Sequence, residues 1–315
     1  MDPDANLPFE HFPIVDAIDH EILMHRDAHF GGQFPIMLDY YRQERKGTQP
    51  EFDISRIERL AVLEEQLKQN LAALFLAGNE AQKIADAREA YQKLRAIYEV
   101  KKPKTFHPQL IADLILTEDE EAEAEIAAVA AEKDKIVPAL IDLLRTEDFY
   151  DPLFPGYGQA PFLAVKCLGR IGDKRAIISL FEALGQGDFF ADDQILKALQ
   201  AIGKPACDFL QHVIKGRPLN EDNEKAAIAL IAFKDEEGVA DLCFDLLQQP
   251  DIQKDPCLPT YLVLACSGLK DPVKREAFRE MSRKTYLPSL LQEDMKGVIH
   301  DWEEKLRSPE AKGCK

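Results

Sequence analysis

The stretch LGRIGDKRAIISL, residues 168–180, is answered by LQAIGKPACDFL, residues 199–210. In each, a Leu-x-x-Ile-Gly ending is followed at once by a new apolar run, and Leu168 and Leu199 stand 31 residues apart. Ahead of the first ending, Ala164, Val165, Cys167, Leu168 and Ile171 recur at helical spacing, and Gly172 then supplies the residue that turns a chain out of a helix at least cost. Ile177, Ile178, Phe181 and Leu184 form the stripe of a second helix. In the later copy Pro205 sits two residues beyond Gly203, where a helix is starting and no backbone donor is needed.

The beat continues in both directions. Leu230 lies 31 residues beyond Leu199, with Lys234 where the first two copies have glycine, and Leu264 follows 34 residues later with Gly268 in the glycine place. KIVPALIDLL, residues 135–144, supplies the helix that AVKCLGRIG completes as a pair. One such pair cannot bury its own apolar stripe, so neighbours must stack. The expected fold is all-α: an α-solenoid of antiparallel helix pairs over residues 106–306, with no sheet. A helical region, residues 1–105, precedes it, and a short tail, residues 307–315, follows.

IVPALIDLL, LGRIGDKRAIISLFEAL, LQAIGKPACDFL and the weaker LIAFKDEEGVADL resemble HEAT-like repeats of the short kind found in the phycobilisome-lyase-related group. The resemblance covers roughly residues 106–300. It implies an interaction scaffold or, as the alternative, a lyase or chromophore-handling protein related to the HEAT-like bilin lyases. It brings no catalytic residues: HEAT-like hydroxylases use paired His-Glu steps for iron, and His20-Glu21 is the single such dipeptide here.

Within the first hundred residues, 53–78 and 81–100 carry helical periodicity on either side of Gly78-Asn79, which reads as a long antiparallel hairpin. KKPKTFHP, residues 101–108, is the expected joint to the repeats. Thr117 and Glu120 have the spacing of a capping box ahead of an Ala/Glu-rich helix, and the acids Glu118 to Glu125 suit a helix start.

The net charge of −17 is unevenly spread: the first 50 residues hold 9 acids and 4 bases, whereas residues 251–315 hold 11 and 12. An acidic surface repels phosphate backbones, so no nucleic-acid partner is expected. The basic run Lys270, Lys274, Arg275, Arg279, Arg283 and Lys284 reads as a solvated helix face. The N-terminal residues lack the pattern of a secretory signal, and the longest apolar runs, LAALFLAG and AAIALIAF, are too short to span a membrane. Six scattered cysteines without a C-x-x-C read as reduced core thiols. A cytoplasmic protein with no membrane partner is the expectation.

Glu21, His25 and His29 recur at i, i+4, i+8 and would line up as metal ligands on a continuous helix. FGGQFP follows at once, which places His29 at a frayed end and breaks the set. No metal site, cofactor or catalytic residue is therefore expected, and the chain is read as a non-enzyme.

The feature that points to function is a pair of loops. TEDFYDPLFPGYGQAP, residues 146–161, is far longer than a helix-pair turn requires, and GQGDFFADD, residues 185–193, occupies the equivalent place one repeat on. Stacked repeats put equivalent loops on one edge, gathering Phe149, Tyr150, Phe154, Tyr157, Phe189 and Phe190 with Asp188 and Asp192. Such a rim suits a protein or peptide partner, a basic one by charge. The competing arrangement folds these rings inward to cap the apolar interior. Should the rim not bind, the surface near Lys166, Arg170 and Lys197 is the next candidate.

Overall fold

Every regular element among the described residues is helical, as the 3.6-residue periodicity requires. The structure, a computed structural model, describes residues 16–43, 52–99, 107–117, 121–186 and 189–307, with the backbone alone at 189–190 and 305–307. Seventeen α-helices and no strand occur among these residues. The chain divides into two compact units, Met1–Ala164 and Val165–Lys315.

Unit 1 contains α1 (Ala17–His29), α2 (Phe34–Arg42), α3 (Ile54–Leu67), α4 (Leu71–Phe75), α5 (Gly78–Glu99), α6 (His107–Leu116), α7 (Glu123–Ala131) and α8 (Val137–Arg145). Helix α1 starts where the Asp16 carboxylate accepts the Asp19 N–H, and it packs against α3, α4 and α5. Ile22, Leu23, Met37, Ile57, Leu60 and Leu71 form the heart of this core. Two charged side chains of α1 are buried within it. Asp19 accepts from Arg56 Nε at 2.6 Å and Arg59 Nη2 at 2.9 Å. Arg26 donates to Asp27 at 2.8 Å, Glu64 at 2.5 Å and Asn70 at 3.1 Å, and its guanidinium lies 4.6 Å over the Phe34 ring. A buried charge is tolerable only when its partners are this complete, so these groups fix how α3 and α4 dock on α1.

Several expectations for this region change. The single long hairpin arm is broken: Lys68 is left-handed at φ +53°, and Asn70 caps a separate short helix, α4. Gly78 opens α5 instead of turning the chain, because the bend falls at Leu76–Ala77 and the Glu80 side chain accepts the Ala77 N–H at 2.6 Å. Helix α5 lies along α1, while α3 pairs with α2. Thr117 is not the N-cap of the Ala/Glu-rich helix, since α7 begins at Glu123 with Ala122 as its N-cap; Glu120 lies outside the described residues. Most of the joint expected at residues 101–108 lies outside the described residues; its last two, His107 and Pro108, open α6, which packs on α5. The boundary between the two compact units lies between Ala164 and Val165, inside α9 (Ala160–Ile171).

Unit 2 follows the beat closely. Its helices are α10 (Ile177–Ala183), α11 (Phe189–Ile202), α12 (Lys204–Val213), α13 (Glu221–Ala232), α14 (Val239–Leu247), α15 (Leu258–Ala265), α16 (Pro272–Ser282) and α17 (Ser289–Arg307). Helix α11 packs on α13, α13 on α15 and α15 on α17, while α12, α14 and α16 each pack on the helix that follows. Hydrogen bonds between successive pairs span about one repeat of sequence. Gln200 donates to the Ala232 carbonyl, Lys270 to the Asp235 carbonyl, Trp302 Nε1 to the Ser267 carbonyl, and Arg217 to Asp251, over separations of 32, 35, 35 and 34 residues. Ring contacts Phe181–Phe209, Phe244–Phe278 and Phe278–Trp302, at 5.4, 6.0 and 5.2 Å, run through the same packing.

The turn glycines have distinct reasons. Gly172 and Gly203 adopt positive φ, +69° and +77°, as helix-ending residues do. Gly268 is held by space: a Cβ there would stand 1.9 Å from the carbonyl oxygen of Lys234, the residue in the equivalent place one repeat earlier. The obstacle is backbone, so it would be there whatever residue stood at 234.

Candidate functional site

The 146–161 loop leaves α8 through a single 3₁₀ turn, Glu147–Tyr150, and then doubles back before α9. Its rings turn inward. Phe154 is 6% exposed and packs with Leu153 against Ala28 of α1 and Ile84 and Ala87 of α5. The Tyr150 hydroxyl donates to the Leu144 carbonyl at 2.8 Å, and its ring meets Phe162 edge-on at 6.0 Å. Tyr157 takes φ +52° between two left-handed glycines, Gly156 and Gly158, and its ring lies 5.0 Å from His29. Neither glycine could carry a side chain, for a Cβ would stand 2.9 Å from the Ile115 carbonyl oxygen at Gly156 and 3.0 Å from that of Tyr150 at Gly158. Phe149 is half-buried, and Glu147 and Asp148 remain exposed.

For this loop the inward arrangement therefore prevails, and Phe154 offers a partner almost no surface. The physical reason is a gap left by small residues: Ala28 and Ala87 make room for a ring between α1 and α5. The second loop belongs to unit 2. There Asp188 lies outside the described residues, as do the side chains of Phe189 and Phe190, whose backbone opens α11. Asp192 is engaged by its own loop, accepting the Gly185 N–H at 2.8 Å, and the neighbouring Asp193 pairs with Lys197 at 2.7 Å.

Beneath the 146–161 loop lie the buried His25 and the half-buried His29. Helix α1 stays regular to His29, ended by Phe30, so His29 is not frayed away and its ring stacks on His25 with centroids 5.1 Å apart. Glu21 is on the exposed side and does not join them. Phe52 closes against His25 at 5.3 Å, and the Tyr91 hydroxyl of α5 lies 2.9 Å from His29 Nδ1. His25 Nδ1 and His29 Nε2 are both buried with no hydrogen-bond partner. Burial holds the His25 pKa down to about 4, against a smaller opposing pull from Asp151. Burial and then the neighbouring His25 hold His29 down to about 3; the Pro152 carbonyl favours its charged form without offsetting them. The pair is uncharged at neutral pH. Its sequence signal, two histidines one helical turn apart, was legible, whereas Tyr91 carried no signal of its own.

Other candidate chemistry resolves into structure. Among the described residues no three His, Cys, Asp or Glu side chains gather as a metal site. Cys167, Cys207, Cys243 and Cys266 are buried; burial raises the Cys207 thiol, pushes Cys243 to about 12 and lifts Cys266 well up, so these are poor nucleophiles. Cys257 departs from the expected core set and is exposed ahead of α15, while Cys314 lies outside the described residues. Much of the basic run is engaged within unit 2: Lys274 bridges Asp241 and Asp245, Arg279 pairs with Glu276, and Arg275 caps the Leu269 carbonyl with its guanidinium 4.9 Å over Trp302. No described helix is long and apolar enough to cross a membrane. No protein-family model and no curated protein matches the chain.

Proposed function

We propose that the protein is a non-catalytic interaction scaffold of the HEAT-like, α-solenoid kind, acting in the cytoplasm on a protein or peptide partner. The observation that carries this reading is the set of hydrogen bonds in unit 2 that join successive helix pairs across one repeat of sequence. A stack built that way presents a long ordered surface and leaves function to loops and surface side chains. The partner-facing part of the 146–161 loop is then its outer rim, Glu147, Asp148 and Phe149, with Tyr157 at the inner margin. Acids beside a half-buried ring favour a basic segment of the partner.

Affinity capture from the native cytosol by the full chain, beside a Phe149→Ser/Asp148→Asn variant, tests this. A partner retained by the unaltered protein, lost by the variant and weakened by added salt is the expected result. Recovery of the same proteins by both chains, insensitive to salt, would remove the rim from consideration.

A further inference from the structure

The 146–161 loop is strained and pinned at the same point. Three consecutive left-handed residues, Gly156, Tyr157 and Gly158, shape its return, and the non-glycine among them is the one whose ring rests on His29. Left-handed backbone at a tyrosine persists only while surrounding packing enforces it. That packing consists of Phe154 in the Ala28–Ile84–Ala87 gap and Tyr157 on the histidine pair.

The pair itself tolerates only one charge state. In the neutral form each unpartnered nitrogen can be a bare lone pair, the least costly polar atom to bury. A proton on His25 Nδ1 would create a buried N–H with no partner in the closed loop, the Pro152 carbonyl favours a charged His29 without offsetting its burial, and two charged rings 5.1 Å apart would repel. The surroundings do not relieve this. On α1, Arg26 is taken up by Asp27 and Glu64. On α5, Tyr91 already meets His29 Nδ1, Arg88 donates to the Asp27 carbonyl, and Lys83 pairs with Asp151. On the loop, Asp151 is the one carboxylate that favours a charged His25; it also accepts the Leu153 N–H and Lys83 at 3.3 Å, which tie it down. From the Phe52 side a ring, not a charge, closes the site.

We propose that His25 and His29 make the 146–161 loop a proton-responsive latch: uncharged, they hold it shut, and protonation releases Phe149, Tyr150, Phe154 and Tyr157 to the surface. This rests on the reading of that loop as the partner-binding edge and adds its regulation. Once the loop lifts, water reaches both rings and they take up protons as ordinary histidines do. Relative to pH 7.5, the open form at pH 5.0 gains roughly thirty-fold in population for each histidine so released. The rings that the closed loop spends on its own core then become the apolar anchors of the rim.

Amide hydrogen exchange on the full chain at pH 7.5 and 5.0, corrected for the intrinsic rate at each pH, reads the latch without any partner. Expected is a loss of protection at pH 5.0 confined to residues 149–158, by about an order of magnitude or more, with α1 and α5 unchanged. Unchanged protection in the loop would overturn the proposal, and so would equal loss in α1 and α5, which marks general acid unfolding. A His25→Phe/His29→Phe variant, which keeps the rings and cannot take up protons, is expected to stay closed at pH 5.0; opening like the unaltered protein would also overturn it. Should that variant not fold, His29→Gln alone is expected to reduce the response. Because no partner enters the measurement, its outcome is independent of whether the rim binds one.

Discussion

The rings of His25 and His29 stack 5.1 Å apart beneath the 146–161 loop, each with one buried nitrogen that bonds to nothing. Their pKa values, about 4 and about 3, lie below the ordinary 6.5, so folding favours the neutral forms. The unfolded chain binds more protons below pH 6.5. Stability from the pair is therefore complete above that pH and lost as pH falls towards 4 and then 3. The slope is at most about 1.4 kcal/mol per pH unit for each histidine. Denaturant midpoints measured from pH 7.5 to 4.5 are expected to fall for the unaltered protein and more shallowly for His25→Phe/His29→Phe; parallel curves would mean that other groups dominate.

Phe154 and Phe149 separate packing from binding within one loop. Phe154→Ser empties a closed gap between α1 and α5 and is expected to cost about 3–5 kcal/mol, as removal of a buried ring does. Phe149→Ser acts on a half-buried ring and is expected to cost well under half of that while weakening partner capture. Thermal melts of the two variants beside the unaltered chain provide the comparison, and equal losses would place Phe149 in the core as well.

Gly268→Ala tests the packing of one repeat turn on the next. Its methyl group would meet the Lys234 carbonyl at 1.9 Å, a contact with backbone that no side-chain rotation relieves. Destabilisation of about 1–3 kcal/mol or more is expected from overpacking. Gly172→Ala meets nothing closer than 3.5 Å and is expected to show only the smaller penalty of a left-handed residue. Urea denaturation of both variants ranks them, and a harmless Gly268→Ala would mean that the two turns do not touch.

Unit 2 was legible because its signals are local and repeated. Leu168 and Leu199 set the beat, and helix-ending glycines at 172 and 203 mark it in backbone that only glycine adopts cheaply. In unit 1 the deciding interactions join residues distant in sequence, and no periodicity encodes them. Arg26 finds Glu64 and Asn70, and Asp19 finds Arg56 and Arg59. These contacts draw α1 between α3 and α5 and undo the hairpin that local pattern suggested. The loop shows the same divide. Its length and aromatic content were plain, but the gap that accepts Phe154 is made by Ala28 and Ala87, whose smallness means nothing until α1 and α5 are side by side. His25 and His29 kept their helical spacing as a signal; what could not be read was that α1 holds its regular form through the last of them.

The uncharged state of the histidine pair under the 146–161 loop is tested most directly by nuclear magnetic resonance titration of the imidazole Cε1–H signals in the full chain, assigned by single substitution of His25 and His29. The account requires both signals to remain those of neutral rings for as long as the loop stays protected from exchange, with protonation displaced below 6.5 and accompanying loss of that protection. Titration of either ring near 6.5, with the loop still protected from exchange, would contradict it.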